Sequence, residues 1–282
     1  MNISITGDLG SGKSSVSDEL KKRGYSYVSC GIIMREYGQK HNMSVLDVNK
    51  LAITDSSIDK YIDDRQAELG KKRTKAIFDG RLSWYFVPNS FKVYLTVDKR
   101  ISAERVFKDS SRKSETYNSV EETYIKINER QSVERERYYK KYGVDYLNFN
   151  NYDLIIDSSD ATPKQIAKEI LRLVNKGIYR NTIEVSPYRI YPTQNTRDLN
   201  ENVLKKYVKL YNSYTKLDYP ICCSADNNGK LYVIDGHHRL LAHMINKQPF
   251  IKIFLKEYNN EETTNTLCYD FEDIGRFKYR YY

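Results

Sequence analysis

The chain has 282 residues, 40% of them apolar, and a formal net charge of +9. This length predicts about two domains, and no apolar run approaches the roughly 20 residues that a membrane span requires. The four cysteines show neither metal-site nor disulfide spacing, and Met1 leads directly into a predicted strand. We therefore expect a cytoplasmic protein without a signal peptide. The positive charge favours anionic ligands and does not by itself indicate nucleic acid.

A complete GxxxxGKS motif occupies residues 7–14, between a predicted strand at 2–6 and a predicted helix at 14–23. Its glycines let backbone N–H groups turn toward a phosphate, and the helix N-terminus adds its positive dipole end. Lys13 is expected to reach the β- and γ-phosphates, and the Ser14 hydroxyl to ligate Mg²⁺. The motif thus predicts ATP and Mg²⁺ as cofactors. The predicted nucleotide-binding residues are Gly7, Gly10, Ser11, Gly12, Lys13, Ser14 and Ser15.

Strands and helices alternate through the first 178 residues. Further strands are predicted at 25–29, 76–79, 91–97 and 152–157, and further helices at 32–39, 57–70, 100–109, 120–141 and 163–175. Such alternation predicts a three-layer α/β domain whose parallel sheet is covered by helices on both faces. Ligands then bind at the carboxyl ends of the strands, where the phosphate loop also lies.

Several polar residues follow these strand ends or lie on the long charged helix. Ser29 and Arg35 come after the second strand, and Gly80 and Arg81 after the third. Arg130, Glu134 and Arg137 have i, i+4, i+7 spacing, so two guanidinium groups and a carboxylate can converge on one ligand. A solvated helix with surface ion pairs has the same pattern and stays open as an alternative.

Residues 1 to about 175 resemble the short, archaeal-type cytidylate kinases. The shared motifs, in order, are GxxGSGKS, SxGxxxRE at 29–36, GRLxxW at 80–84, RxxxExxRYxxxYGxD at 130–145 and YDLIIDSS at 152–159. The resemblance implies that Lys13 and several arginines carry the transfer and handle the donor and acceptor phosphates, and that Ser29 and Glu134 lie near the sugar or base. Those arginines are Arg35, Arg81, Arg112, Arg130 and Arg137.

The expected lid, residues 102–129, departs from the family where it reads Lys-Asp-Ser-Ser-Arg at 108–112. Arg105 and Arg112 are still interpreted as phosphate contacts. The altered lid leaves open whether the acceptor is CMP itself or a CMP-like compound.

A second, smaller domain is predicted at 179–282. A helix at 201–214 and strands at 219–224 and 230–234 lead into Asp-Gly-His-His-Arg at 235–239. Gly236 at a strand-to-helix turn, with Arg239 and the helix N–H groups, predicts an anion site. A purely structural turn with a hydrogen-bonded His pair, and a zinc site, are the alternatives.

Residues 182–256 resemble the ParB/sulfiredoxin-like superfamily, through IDGHHRLLA and a preceding Pro-Thr-Gln at 192–194. The resemblance implies an α+β fold and a nucleotide-phosphate site. Its residues would be Asp235, Gly236, His237, His238 and Arg239, together with Gln194 where the serine-kinase branch is expected to place a catalytic Glu.

The sequence therefore predicts an ATP-dependent phosphotransferase acting on CMP, dCMP or a CMP-containing metabolite. Its C-terminal module would bind nucleotide phosphates and could form a second catalytic centre. The alternative is a nucleotide-sensing or DNA-associated ParB-like protein that uses the kinase fold as a switch. The expected partners are nucleotides and a small-molecule acceptor, without a membrane and with nucleic acid disfavoured.

Overall fold

The computed structural model describes residues 1–44, 47–48, 51, 55–109, 117–177, 182–191, 200–212, 219–225 and 230–256. The chain divides into two compact units, Met1–Asn181 and Thr182–Tyr282. Within the described ranges, no helix is both long and apolar enough to cross a membrane.

The described residues of unit 1 form five strands in the order β2-β3-β1-β4-β5, and all four neighbouring pairs are parallel. The strands are β1 (Asn2–Gly7), β2 (Ser26–Ser29), β3 (Ala76–Asp79), β4 (Ser90–Thr96) and β5 (Leu154–Asp157). Every residue of the central β1 is buried, which is typical of a parallel strand covered on both faces. The predicted parallel α/β sheet is confirmed.

The six predicted helices of unit 1 are present, with ends close to the predicted ones. The helices with described bounds are α1 (Lys13–Lys21), α2 (Cys30–Lys40), α3 (Ser56–Lys72), α4 (Ser83–Phe86), α5 (Lys99–Lys108), α6 (Val120–Tyr142) and α7 (Pro163–Lys176). A capping box formed by Thr162 and Gln165 starts α7, and Gly177 ends it in the left-handed conformation. The sequence did not predict α4 or the 3₁₀ turn Phe149–Asn151, because both are too short to show a periodic pattern.

A hydrophobic cluster in unit 1 packs β2 and β3 against α2 and α3. Its fully buried members include Ile33, Ile58 and Phe78. This packing holds the ends of β2 and β3, where Ser29 and Gly80 lie, at one edge of the sheet.

Unit 2 contains a mixed sheet in the order β6-β10-β8-β9-β7. Its elements are β6 (Thr182–Val185), β7 (Ile190–Tyr191), α8 (Glu201–Asn212), β8 (Ile221–Ala225), β9 (Leu231–Asp235), α9 (His237–Ile245) and β10 (Ile251–Leu255), with a 3₁₀ turn at Pro187–Arg189. The β6–β10 and β8–β9 pairs are antiparallel, whereas β8–β10 and β7–β9 are parallel. Buried side chains from β8, β9 and α9, including Ile221, Val233 and Met244, form its core. The end of the predicted helix, at 213–214, lies outside the described residues.

Candidate active site

The phosphate loop joins β1 to α1 and leaves the start of that helix open to an anion. Gly10 has φ 71°, and a Cβ there would lie 2.8 Å from the carbonyl oxygen of Ser102, so only glycine fits without a shift. The N-cap of α1 is Gly12, which offers no side-chain acceptor to the first helical N–H groups. These groups can therefore bind a phosphate, as the motif predicts.

Lys13 lies within the loop, and its ammonium donates to two loop carbonyls. The Nζ–O distances are 2.9 Å to Gly7 and 3.0 Å to Asp8. Burial, together with the nearby charge of Arg81, lowers the pKa of Lys13 to about 8. The positive charge of Lys13 is thus only partly balanced by the surrounding residues. A bound polyphosphate would supply the missing negative charge.

Asp8, the second residue of the motif, ties the loop to β4 and α6. Its Oδ1 accepts from the Tyr94 hydroxyl at 2.7 Å and from Gln131 Nε2 at 3.0 Å, and its Oδ2 accepts from the Val97 N–H at 3.2 Å. Burial raises the pKa of Asp8, and the hydrogen bonds from Tyr94 and Val97 oppose that rise. Asp8 could not be selected from the sequence, because the motif leaves its position unspecified.

Glu134 of α6 bridges two arginines. Its Oε2 accepts from Arg81 Nε at 2.8 Å and its Oε1 from Arg130 Nε at 2.9 Å, while Arg81 also donates to the carbonyl of Gly7. Burial would raise the pKa of Glu134, but the two guanidinium groups outweigh it and hold that pKa below its ordinary value. The predicted convergence of Arg130 and Glu134 is present, and Arg81 joins them.

These groups border one cavity of about 670 Å³. The predicted nucleotide-binding residues in its wall are Gly10, Gly12, Lys13, Ser14 and Ser15. The predicted acceptor-side residues in its wall are Gly80, Arg81, Arg130 and Glu134. Donor-side and acceptor-side candidates therefore face the same space.

Other predicted residues lie outside this wall. Ser11 is buried beneath the loop and donates to the Asp8 carbonyl at 2.8 Å, and Ser29 caps α2 by accepting from the Ile32 N–H. Arg35 is exposed, and the exposed Arg137 guanidinium lies 5.4 Å from the centre of the Tyr138 ring. Arg112 lies outside the described residues. The roles of these side chains stay predictions.

Further residues that line the cavity include Cys30, Arg105 and Tyr138. Arg105 was named only as a phosphate contact, and in the structure it donates to the carbonyls of Gly10, Ser158 and Ser159. Burial raises the pKa of the Cys30 thiol to about 11, so this cysteine is neutral at physiological pH.

The Asp-Gly-His-His-Arg turn of unit 2 joins β9 to α9. Gly236 has φ 107°, and a Cβ there would lie 2.6 Å from Ile221 Cγ2. Arg239 donates to the Pro220 carbonyl at 2.9 Å and to Asp235 Oδ2 at 3.0 Å, so part of its guanidinium is engaged by the turn itself.

The two adjacent histidines of this turn have different surroundings. His238 Nε2 accepts from the Asn200 N–H at 2.9 Å. Burial lowers the pKa of His237 to about 4, and its Nε2 has no hydrogen-bond partner among the described residues. Across that same part of the chain, no group of three or more His, Cys, Asp or Glu side chains could hold a metal ion. Gln194 lies outside the described ranges.

Comparison with known proteins places unit 1 in a family. The cytidylate kinase of Pyrococcus abyssi is 35% identical over 166 residues, which cover 58% of this chain and 88% of that enzyme. The chain belongs to the cytidylate kinase family. Cytidylate kinases of Sulfolobus acidocaldarius and Methanobrevibacter smithii are 33% and 36% identical, over 62% and 61% of this chain and 95% and 96% of their own lengths.

As a cytidylate kinase family member, the chain is a nucleoside monophosphate kinase-like phosphotransferase. A family model described as an AAA domain also matches residues 3–126, within unit 1. The predicted P-loop kinase character of the N-terminal region is confirmed. The predicted likeness of unit 2 to ParB and sulfiredoxin stays a prediction.

Proposed function

We propose that this chain transfers the γ-phosphoryl group of ATP to CMP, dCMP or a CMP-containing metabolite. The observation that carries the proposal is the shared cavity, in which Lys13 of the phosphate loop faces the Arg81–Glu134–Arg130 bridge. The names of the relatives support a cytidine-type acceptor.

The loop residues fit a nucleoside triphosphate. The start of α1 has no side-chain cap, and the Lys13 ammonium has a lowered pKa that an added anion would raise again. Ser14 lies in the cavity wall and would hold Mg²⁺ through its hydroxyl. When bound, Mg²⁺ neutralises charge on the phosphates.

Phosphoryl transfer between two phosphates requires the protein mainly to position the substrates and to neutralise their charge. The acceptor of a nucleoside monophosphate kinase is already an anionic phosphate, so no general base is needed. Lys13, Arg81 and Arg130 supply positive charge where it builds up in transfer, and Glu134 keeps the two guanidinium groups in fixed positions. A switch protein would need Lys13 to bind nucleotide but would have less use for Arg81 and Arg130.

For unit 2 we propose that the turn formed by residues 235–239 binds nucleotide phosphates. In the stronger version of this proposal, the same turn is also a second catalytic centre. Two observations favour phosphate binding: α9 starts at Gly236 without a side-chain cap, and the buried His237 Nε2 has no described partner. The contacts of Arg239 to Pro220 and Asp235 are equally compatible with a structural turn.

A substrate screen tests the main proposal. The purified full chain, with ATP and Mg²⁺, is offered nucleoside monophosphates, CDP-linked metabolites and free serine while ADP release is followed. We expect release with CMP, dCMP or a CMP-containing compound, and Lys13→Ala should lower it by at least about 100-fold. Lys22→Ala, at the exposed end of α1, is the matched control. Unchanged turnover in Lys13→Ala would overturn the assignment.

A further inference from the structure

The polar face of α3 packs against the end of α6 and against Ser83, next to the cavity wall. Asp59, Asp63 and Gln66 have i, i+4, i+7 spacing and share one face of this helix. Asp59 accepts from Lys141, and Asp63 Oδ2 accepts from the Tyr142 hydroxyl at 2.7 Å, both at the end of α6. Gln66, only 4% exposed, accepts from the Ser83 hydroxyl through Oε1 at 2.7 Å.

Gln66 lies directly behind the cavity wall. A Cβ built on Gly80 would lie 2.7 Å from Ser83 Oγ, 3.1 Å from Cys30 Sγ and 3.7 Å from Gln66 Oε1. Gly80 and Cys30 both line the cavity. The Gln66 carboxamide therefore sits next to the part of the wall that these two residues form, away from the loop residues that bind phosphate.

Asp63 lies near the same part of the cavity wall, through its contact with Tyr142. The Tyr142 ring that holds it lies 6.3 Å from the ring of Tyr138, which lines the cavity. Burial, together with the negative charges of Asp79 and Asp63, raises the pKa of the Cys30 thiol, which lines the cavity. Burial raises the pKa of Asp63 itself to about 6, which leaves it ionised but incompletely solvated at neutral pH.

Gln66 and Asp63 each have one polar atom for which the described residues provide no hydrogen-bond partner. Because the Ser83 hydroxyl donates to Gln66 Oε1, the Nε2 amide is fixed as a donor, and no acceptor for it lies among the described residues. Asp63 uses Oδ2 for Tyr142, and no donor to its Oδ1 lies in the described part of the chain. The helix thus presents an N–H donor and a carboxylate acceptor about one turn apart.

We propose that Gln66 and Asp63 read the base of the acceptor nucleotide and select an amine-bearing edge over an oxo-bearing one. Gln66 Nε2 donates to a ring nitrogen or carbonyl oxygen, and the Asp63 carboxylate accepts from the exocyclic amine. Cytosine presents N4–H₂ where uracil presents the O4 acceptor, which would face the carboxylate without a proton between them. This inference rests on the proposed nucleotide-kinase function and names the residues that give it specificity.

The test compares CMP with UMP in the full chain, because the two differ only along this edge. We expect the ratio of kcat/KM for CMP to that for UMP to fall by about 10- to 100-fold in Asp63→Asn, whose amide can donate to O4. Asp64→Asn, on the exposed side of the same helix, is the matched control and should leave the ratio unchanged. Since both rates come from one protein preparation, partial unfolding of the variant does not alter the ratio.

Gln66→Met provides a second variant, which removes the donor at similar volume. It should raise KM for CMP while its thermal unfolding, measured in parallel, reports any loss of the Ser83 contact. A wild-type chain that phosphorylates CMP, with an Asp63→Asn ratio equal to that of Asp64→Asn, would overturn this inference and leave the proposed function standing. A wild-type chain that phosphorylates no nucleoside monophosphate would overturn both.

Discussion

Lys13 is a cation in surroundings that disfavour its charge, and its two hydrogen bonds go to neutral carbonyls of Gly7 and Asp8. Its pKa of about 8 means that it loses its proton as the pH rises past that value, well before an ordinary lysine. A bound triphosphate favours the charged form and raises this pKa. ATP binding and protonation of Lys13 are therefore linked.

We expect ATP binding to weaken as the pH rises through about 8 and to be accompanied by proton uptake above that pH. Calorimetric titration at about pH 8.5 in two buffers of different ionisation enthalpy measures the uptake. Lys13→Arg keeps its charge at this pH and is the control, because its binding should take up no proton. Equal proton uptake in the two proteins would show that another group titrates.

At the level of elements, α6 carries the bridge that holds Arg81 and Arg130 together. Glu134→Gln removes the charge that balances the two guanidinium groups, so they should separate and place the phosphates less accurately. We expect kcat/KM for the transfer to fall by about 10- to 100-fold with little change in the unfolding temperature. Steady-state kinetics and thermal unfolding measure the two quantities.

Glu136→Gln is the matched control. Glu136 lies two residues beyond Glu134 on α6, and among the described residues its ion pair is with the exposed Lys140, four residues further along. An exposed pair of this kind is worth little, so its loss should leave transfer nearly unchanged. Equal effects of the two substitutions would mean that Glu134 acts as a general surface charge and not as the bridge.

The elements of unit 1 could be predicted because their signals are local. The apolar strands, the helical periodicity and the phosphate loop are each contained within a short stretch, and the observed ends differ from the predicted ones by one or two residues. The contacts of Asp8 could not be predicted, since Tyr94 and Gln131 lie 86 and 123 residues away and meet it only after folding. Gln66 could not be predicted as a site residue because its helix carries no motif. Spacing alone could not show that Arg130 lines the cavity whereas Arg137 does not.

For the whole molecule, the two proposed functions together predict two phosphate sites in one chain. We expect the full chain with Lys13→Ala to retain nucleotide binding at the turn of unit 2, and the added Arg239→Ala to remove it. Equilibrium dialysis with labelled ATP and CTP measures the number of sites. Lys209→Ala, on an exposed position of α8, is the control for lost positive charge.

Arg239 also holds the Pro220 carbonyl, so thermal unfolding must accompany this experiment to separate lost binding from a loosened turn. A single site in the wild-type chain, abolished by Lys13→Ala alone, would contradict the role proposed for unit 2 and leave that of unit 1 intact.

The hydrogen bond from Gln131 to Asp8 has a mechanical consequence. Gln131 follows Arg130 directly on α6, so the segment that presents an arginine to the acceptor side also grips the phosphate loop on the donor side. A tilt of α6 that carries Arg130 outward must break this bond or pull the loop with it. Because Gln131 lies at the middle of α6, one turn of this helix links the two sides of the cavity, and a shift of either side is transmitted to the other.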